Sequence, residues 1–410
     1  MSTILGHTLL ATAAVTGLII LRLRATATAH ATAAKEEDEL LYVTLVCRHG
    51  ARGPTKKALY LALGETPEQR NQRQQPTSDP HPATPAAKKW KPTELDALTA
   101  VGSAQLVALG QYFATFISQQ PTILANTHRS TIKVRRSERP RVIASADSFM
   151  QGYATAAAGA APPRTQLPLL QYLPYATLQQ NVAVFRAWTG SEYNAHVDQV
   201  KHSHVYQHKG QESQAMLDAT VVQCSPWSQS FNRSAQLNLT TYLHECLTCE
   251  AYSPDASKRS AGSLTDFFRT HQQAEKDLKN LALWSFDQRF INRATVGDRF
   301  GVAIGGALLN EMEQDFLVNG GKGGASVYVG HDYTILALMA ALGVVEHPKE
   351  IMGFGGFGLM EYRRRRKTGE VYQRLMLQTT PFPDLNHPST VSDKLPVEVW
   401  RKNCISYNEL

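Results

Sequence analysis

The chain carries little net charge for its length. Its 410 residues include 42 Lys and Arg against 35 Asp and Glu, a formal net charge of +7. This mild excess lacks the dense basic stripe of a nucleic-acid-binding protein and therefore argues against that class, although it suits anionic substrates. Hydrophobic residues make up 43% of the chain, enough for one large core or for a domain with a substantial insertion.

Long apolar runs are scarce, and the one of note lies at the N-terminus. Residues 9–21 have the length of a secretory h-region, and residues 29–34 offer small side chains for cleavage. Residues 1–34 are therefore predicted to be a signal peptide, which indicates the secretory pathway and a secreted or lumenal protein. Because Arg22 and Arg24 follow the run instead of preceding it, an uncleaved N-terminal membrane anchor remains an alternative.

Cysteine is also scarce, with five residues in the chain. Cys47 ends an apolar strand-like run and is predicted to be buried and free. The other four, Cys224, Cys246, Cys249 and Cys404, could form two disulfides in an oxidising compartment, and the sequence does not choose among the three pairings. The spacing of Cys246 and Cys249 also resembles half of a zinc site, but no second pair follows, so disulfides are favoured and no metal site is predicted.

A strand–loop–helix pattern occurs near each end of the chain. Residues 41–47 (LYVTLVC) and 326–329 (SVYV) are typical of buried strands, and the second leads directly into a helical run at 333–342. Residues 165–315 have weaker periodicity and are predicted to form a mainly helical insertion. Two sequons within it, at Asn232 and Asn238, agree with a secretory route and with glycosylation.

The ends of the two strands are the expected place for chemistry, because open α/β sheets bind ligands where strands end and helices begin. The first strand is followed by His49 between Arg48 and Arg52. Guanidinium groups suit phosphate oxygens, and a neutral imidazole between them can attack phosphorus in line. The second is followed by His331 and Asp332, which can donate to the phosphate and protonate the leaving oxygen.

A third arginine would complete the charge around the phosphate. Arg135, directly after a short strand candidate at 132–134, is the leading choice, and its neighbours Arg136, Arg139 and Arg141 are alternatives. A lone histidine such as His49 is most often structural. Two nearby arginines make a poor core environment, so the catalytic interpretation is preferred.

These residues also carry a family resemblance. Residues 48–54 (RHGARGP) match the R-H-G-x-R-x-P signature of the histidine acid phosphatases, the branch of the phosphoglycerate-mutase-like superfamily that includes phytases. Their H-D motif resembles 328–332 (YVGHD), and two further family segments resemble 98–110 and 134–145. The resemblance implies an α/β fold, a three-layer sandwich around a mixed central sheet. Residues 35–164 and 316–410 would form this core, with 165–315 as the helical second domain and the pocket between them.

The resemblance also implies an activity, that of an acid phosphatase acting on phosphate monoesters without metal or cofactor. His49 would be the nucleophile, forming a phosphohistidine, and Asp332 the proton donor. The residues implied in phosphate binding are Arg48, Arg52, Arg135 and His331. Residues 170–184 depart from the family pattern, which leaves the substrate open. A narrow-specificity phosphatase for inositol phosphate, glycan phosphate or lysophospholipid, or a non-catalytic phosphate-binding relative, remains an alternative, and the sequence does not indicate an oligomeric state.

Overall fold

The computed structural model describes most of the chain between its termini. The described residues are 38–63, 89–125, 132–159, 170–172, 190–290, 300–318, 323–342, 352–378 and 389–395. The predicted leader, residues 1–34, lies outside these ranges, as does Cys404. The leader and the membrane-anchor alternative therefore stay predictions.

A mixed sheet of seven strands forms the centre of the described part. In chain order the strands are β1 (Asp38–Arg48), β2 (Ile132–Arg136), β3 (Leu170–Tyr172), β4 (Ala325–Gly330), β5 (Phe357–Arg365), β6 (Val371–Gln378) and β7 (Ser389–Leu395). Their spatial order is β3-β2-β4-β1-β5-β6-β7. The pairs from β3 to β1 are parallel, and those from β1 to β7 are antiparallel. Strand β1 is central, as expected from its continuous apolar sequence.

Helices account for most of the remaining described residues. They are α1 (Lys56–Leu63), α2 (Ala100–Ser118), α3 (Pro121–Ala125), α4 (Pro140–Gly159), α5 (Gly190–His202), α6 (His204–Glu212), α7 (Gln214–Leu217), α8 (Arg233–Ala251), α9 (Leu264–Thr270), α10 (Gln272–Phe290), α11 (Phe300–Val318) and α12 (Asp332–Ala341). A short 3-10 helix at Pro92–Glu94 precedes α2.

Side chains of β1 pack on both faces of the sheet. Val43, Leu45 and Cys47 join α2 and α4 in one apolar cluster, whereas Tyr42 and Val46 join α11 and α12 in another. A strand that is covered on both faces needs apolar residues at successive positions, which is why β1 lacks polar alternation. The predicted three-layer α/β sandwich around a mixed sheet is confirmed, and Cys47 is buried and free as predicted.

Helix α2 illustrates how local sequence signals are realised. The side chain of Thr99 caps it by accepting a hydrogen bond from the Gly102 N–H (3.1 Å), a common role for threonine at the start of a helix. Gly110 of α2 and Gly152 of α4 lie where a Cβ would collide with the facing backbone, so the two helices pack closely. In the described part, α2 is the one helix long and apolar enough to span a membrane, and this packing identifies it as a core helix.

Residues 190–290 are mainly helical in the structure. Helix α8 is central among these helices, and its apolar side chains share a cluster with those of α1 and α10. Strand β3 pairs with β2, so residues 170–172 extend the sheet. The division of the chain into a core and an insertion at 165–315 stays a prediction.

The two sequons differ in exposure. Asn232 is exposed and caps α8, where its side chain accepts a hydrogen bond from the Ala235 N–H (2.8 Å). Asn238 lies inside α8 and is 8% exposed. A glycan needs a surface position, so the structure does not support modification of Asn238, and glycosylation of Asn232 stays a prediction.

The cysteines of the helical region differ from the prediction. Cys224, Cys246 and Cys249 are all free and buried within one apolar cluster, so the two-disulfide framework is not formed. Each thiol fills apolar space as a small hydrophobic group, and burial raises the pKa of Cys249 to about 12. Among the described residues, no group of His, Cys, Asp and Glu side chains is arranged to hold a metal ion.

Candidate active site

The ends of β1 and β4 bring the two predicted motifs together. The strands are parallel neighbours, and Arg48 pairs with Gly330 in their register. The next residue after each strand is a histidine, and the rings of His49 and His331 lie edge to face with centroids 5.5 Å apart. Two segments almost 300 positions apart thus meet at one edge of the sheet, where the strand–loop–helix pattern predicts a site.

A cavity of about 200 Å³ opens at this edge. The sequence-predicted residues that line it are Arg48, His49, Arg52, His331 and Asp332. The opposite side of the cavity comes from helices α8 and α10, including Tyr242, His244, Glu245, Phe286 and Arg289. The cavity therefore lies between the sheet and the helical region, where the family resemblance predicts the pocket.

The imidazole of His49 is buried and neutral. Its Nδ1 lies 2.9 Å from the Gly50 carbonyl oxygen. Because a carbonyl can only accept, Nδ1 carries the proton and Nε2 keeps its lone pair. Burial lowers the pKa of His49 well below its ordinary value, and the positive charges of Arg141, Arg52 and Arg48 lower it further.

The loop after His49 is held by the two helices that cover one face of the sheet. The Gly50 N–H donates to Oγ of Ser145 on α4 (3.1 Å), and the Ala51 N–H donates to Oε1 of Gln105 on α2 (2.9 Å). A Cβ at Gly50 would lie 2.2 Å from the Gly102 carbonyl oxygen, so this close approach requires glycine. These contacts fix the position of the His49 backbone.

Arg48 and Arg52 each pair with a carboxylate at the cavity. Arg48 Nη2 lies 3.1 Å from Asp332 Oδ2, and its guanidinium stacks 4.4 Å from the centre of the Phe354 ring. Arg52 Nη1 donates to Glu245 Oε1 (3.0 Å). Glu245 also accepts the Thr55 N–H (2.8 Å). Burial raises the pKa of Glu245, but Arg52 and this hydrogen bond outweigh it and leave the pKa below its ordinary value.

Arg135, the predicted third phosphate-binding arginine, does not line the cavity. It is paired in register with Tyr328, whose side chain packs on the α11 face of the sheet. On that face Arg135 Nη2 donates to Asp315 Oδ1 (2.8 Å) and lies 3.6 Å from Glu311 Oε2. Because alternate side chains of a strand point to opposite faces, the end of a strand does not by itself direct an arginine to the site.

Arg141, one of the alternatives, lines the cavity instead. It lies in the first turn of α4, one turn before Ser145, which contacts the loop after His49. Positions i and i+4 share a helix face, and this spacing is the sequence signal that favours Arg141 over its neighbours. Arg48, Arg52 and Arg141 are called the cradle arginines below.

His331 is neutral and uses both ring nitrogens. Arg141 Nη2 can only donate, so the 3.4 Å contact makes His331 Nδ1 the acceptor, and Nε2–H then donates to Ser137 Oγ (3.1 Å). Burial lowers the pKa of His331 well below its ordinary value, with further lowering by Arg141 and Arg52. Asp332, the next residue, begins α12, and its Oδ1 accepts the Tyr333 N–H (2.8 Å).

The cradle arginines share one further property. The Nε atom of each is buried and has no hydrogen-bond partner in the described part of the chain. Buried donors without partners cost free energy, and the three guanidinium groups at this cavity carry the charge that suits a bound anion. The cavity therefore has the chemistry of an oxyanion site.

The comparison with known families identifies the chain. The model of the histidine phosphatase superfamily (branch 2) matches residues 39–352. The chain belongs to this superfamily. The match confirms the family resemblance predicted from residues 48–54 and 328–332. The comparison with curated proteins found no match.

Solved structures with a similar fold include three bacterial phytases. The phytase of Klebsiella sp ASR1 is 17% identical, with 83% of each chain covered and a TM-score of 0.54. Hafnia alvei phytase in complex with myo-inositol hexakis sulphate is 18% identical over 84% of this chain and 85% of that chain, with a TM-score of 0.52. Citrobacter braakii phytase is 17% identical over 83% and 85%, with a TM-score of 0.52. At these identities the likeness shows a shared fold.

In this histidine phosphatase, the structure thus brings five predicted residues to one cavity and leaves one out. Sequence reasoning missed Glu245, which reaches Arg52 from α8, because no local motif marks it. It also missed Asp96, which contacts Arg141 from the loop before α2. Both are acidic residues whose partners lie far away in the chain, so spacing carries no signal for them.

Proposed function

We propose that this histidine phosphatase is an acid phosphatase that hydrolyses phosphate monoesters through a phosphohistidine on His49. The observation that supports this best is the neutral His49 with its Nε2 lone pair, at a cavity lined by the three cradle arginines. A neutral imidazole is a nucleophile for phosphorus, and the guanidinium groups match the charge that its phosphate target carries.

In the first step, His49 Nε2 attacks phosphorus opposite the ester oxygen. The P–N bond forms as the P–O bond to the alcohol breaks, and the leaving oxygen takes a proton from Asp332. The cradle arginines stabilise the equatorial oxygens in the transition state. The 3.1 Å contact between Asp332 and Arg48 supports this arrangement, because the proton donor lies beside a phosphate-binding group.

In the second step, water attacks the phosphorus of phospho-His49. Asp332, now a carboxylate, accepts a proton from this water, the P–N bond breaks, and orthophosphate is released. The two steps use Asp332 first as an acid and then as a base, so no metal or cofactor takes part in the proposal.

The proposed mechanism requires activity at acid pH. Asp332 must be protonated and His49 unprotonated in the first step, which gives a bell-shaped profile. Burial and the nearby arginines lower the pKa of His49, so His49 stays neutral at more acidic pH than a free imidazole does and the acidic limb moves to lower pH. A rate that rises steadily through neutral pH would contradict this assignment.

The proposed route for the protein is the secretory pathway, to a secreted or lumenal location. It is supported by the apolar run at 9–21 and by the exposed sequon at Asn232. Determination of the N-terminal residue of the mature protein tests it: a terminus near residue 35 indicates cleavage, and an intact residue 1 in membrane fractions indicates an anchor.

The decisive experiment for the activity compares the wild-type chain with His49→Ala. Phosphate release is measured at about pH 5 from a panel of monoesters that includes aryl, sugar, inositol and lysophospholipid phosphates. We expect wild-type turnover and a loss of about four decades or more in the variant, the effect of removing a nucleophile. Equal low release from both proteins, with orthophosphate still bound, would favour a non-catalytic phosphate-binding protein.

A further inference from the structure

Asp96 has an unusual backbone conformation. Its φ is +60°, and among the residues that the structure describes it is the one non-glycine residue with positive φ. Left-handed backbone costs an L-residue roughly 1–2 kcal/mol, although Asp and Asn tolerate it better than others. Such strain persists where surrounding contacts determine the conformation, and it is often found at functional sites.

Backbone hydrogen bonds fix Asp96 against the loop that follows β1. The Asp96 N–H donates to the Pro54 carbonyl (3.0 Å), and the Gly53 N–H donates to the Ala97 carbonyl (3.0 Å). The strained residue is therefore bound to the loop that carries the nucleophile and two of the cradle arginines.

The carboxylate of Asp96 contacts two cradle arginines. Both of its oxygens lie 2.6 Å from Arg141 Nη1, and Oδ1 lies 3.8 Å from Arg52 Nε. Asp96 itself does not line the cavity, whereas the two arginines do. It therefore contacts the arginines on the side away from the cavity and does not occupy the place of a bound phosphate.

This contact leaves the other end of the Arg141 guanidinium for the site. Nη1 is held by Asp96, and Nη2 lies 3.4 Å from His331 Nδ1. Each cradle arginine in fact has its own carboxylate: Arg48 pairs with Asp332, Arg52 with Glu245 and Arg141 with Asp96. Asp332 and Glu245 line the cavity, so Asp96 is the member of the three that acts from outside it.

We propose that Asp96 is a positioning residue, whose carboxylate holds Arg141 and Arg52 in the orientation that the transition state for phosphoryl transfer requires. The inference rests on the proposed function. The left-handed backbone at Asp96 is what places a carboxylate behind both guanidinium groups at once, and Gly or Asn in this position would relieve the strain but lose the charge.

Removal of this carboxylate has two opposing effects on phosphate. It leaves more positive charge at the cradle, which strengthens the binding of any anion, and it frees Arg141 to rotate, which weakens binding that depends on geometry. Tetrahedral orthophosphate depends mainly on charge. Orthovanadate, which becomes five-coordinate on a nucleophile, resembles the transition state and depends on the orientation of the donors. The ratio of the two affinities therefore reports positioning.

The test measures the Kd of orthophosphate and of orthovanadate by calorimetry, with the full chain and at one acidic pH. The variants are Asp96→Asn, which keeps shape and tolerates positive φ, and Asp96→Gly, which removes both the carboxylate and the strain. Asp218→Asn is the matched control, because Asp218 pairs with Arg233 at 2.6 Å outside the cavity. Melting temperatures of all proteins accompany the titrations.

We expect vanadate affinity to fall about tenfold or more in both Asp96 variants, with phosphate affinity changed less than about threefold. The Asp96→Gly melting temperature should not fall below that of Asp96→Asn, because glycine also removes the strain, and the control should match the wild type in both affinities. A vanadate-to-phosphate ratio that is unchanged in both variants would overturn the proposal, with or without a loss of stability. Wild-type protein that binds both anions without turnover would count against the proposed function alone, whereas failure to bind either would overturn both.

Discussion

The two walls of the cavity differ in the side chains that they present and in the contacts that hold those side chains in place. The sheet wall carries the histidines and the cradle arginines, fixed by short backbone segments and by paired carboxylates. The helical wall, from α8 and α10, combines two aromatic rings, Tyr242 and Phe286, with polar side chains that include Glu245 and Arg289. Under the proposed function, this difference predicts a division of labour in which the sheet wall binds and transfers phosphate and the helical wall receives the alcohol.

The largest effect is expected from removing the proposed proton donor, Asp332, from the sheet wall. Asp332→Asn should lower kcat for alkyl phosphates by about 10²–10⁴-fold, because the leaving alkoxide then has no acid beside it. An aryl phosphate with an acidic phenol as leaving group should lose much less. Parallel losses of kcat for the two esters would contradict the role of Asp332.

A second test separates the two candidate third arginines. Arg141→Ala should lower kcat/KM by about 10²–10³-fold because a transition-state charge partner is lost. Arg135→Ala should leave kcat/KM within about threefold. It should instead destabilise the fold by roughly 3 kcal/mol, because it removes the main partner of Asp315, a carboxylate 3% exposed. Steady-state kinetics and urea unfolding of both variants measure the two effects. A large loss of kcat/KM in Arg135→Ala, with little loss in Arg141→Ala, would contradict the assignment.

A third test concerns α8, one of the two helices that form the helical wall. Glu250 of this helix is fully buried and accepts hydrogen bonds from Thr265, but its Oε1 has no partner among the described residues. Burial raises its pKa to about 7 from an ordinary 4.5. The folded state thus prefers the protonated acid, so its stabilising contribution is complete below about pH 4.5 and is lost as pH rises through 7.

The difference between these pKa values corresponds to about 3 kcal/mol of unfolding free energy. We therefore expect Glu250→Gln to lose this part of the pH dependence and to exceed the wild type in stability at pH 8. Urea unfolding of both proteins at pH 5 and pH 8 measures it. The same pH dependence in the two proteins would show that Glu250 is not its source.

The smallest effect is expected from the helical wall itself. Phe286 lines the cavity and stacks 4.7 Å from the Arg289 guanidinium. Phe286→Ala should raise KM about three- to tenfold for esters with bulky alcohols, while the inhibition constant of orthophosphate stays unchanged. A weaker phosphate inhibition would place Phe286 with the sheet wall and end the division of labour.

The sequence predicts the sheet wall better than the helical wall, for a physical reason. His49 and His331 follow apolar strands whose length and composition mark them as central, and parallel neighbours bring their ends together. Arg135 was predicted from its nearness to a strand end, but the face of a strand residue depends on register, which the sequence does not reveal. Arg141 lies on a helix whose direction becomes clear only from its packing.

The sequence does not predict the helical wall, because the residues that line it do not belong to a local motif. Glu245 lies within a helix without a motif around it, and its partner Arg52 is 193 positions away. The free cysteines differ from their prediction for a related reason. In a secreted chain, the cysteine count and spacing alone favour disulfides. The burial of the three thiols in one apolar cluster depends on how the helices pack, which the spacing does not show.

The place of β1 in the sheet has a consequence for how the protein is made. The central strand is synthesised early, but its neighbours β4 and β5 follow much later, and Thr44 bonds to Ser326 at a separation of 282 positions. A ribosome that adds about 5–20 residues per second needs on the order of tens of seconds to supply them. Until then His49 has no His331 beside it, so the proposed active site cannot assemble before β4 has been synthesised and has joined the sheet.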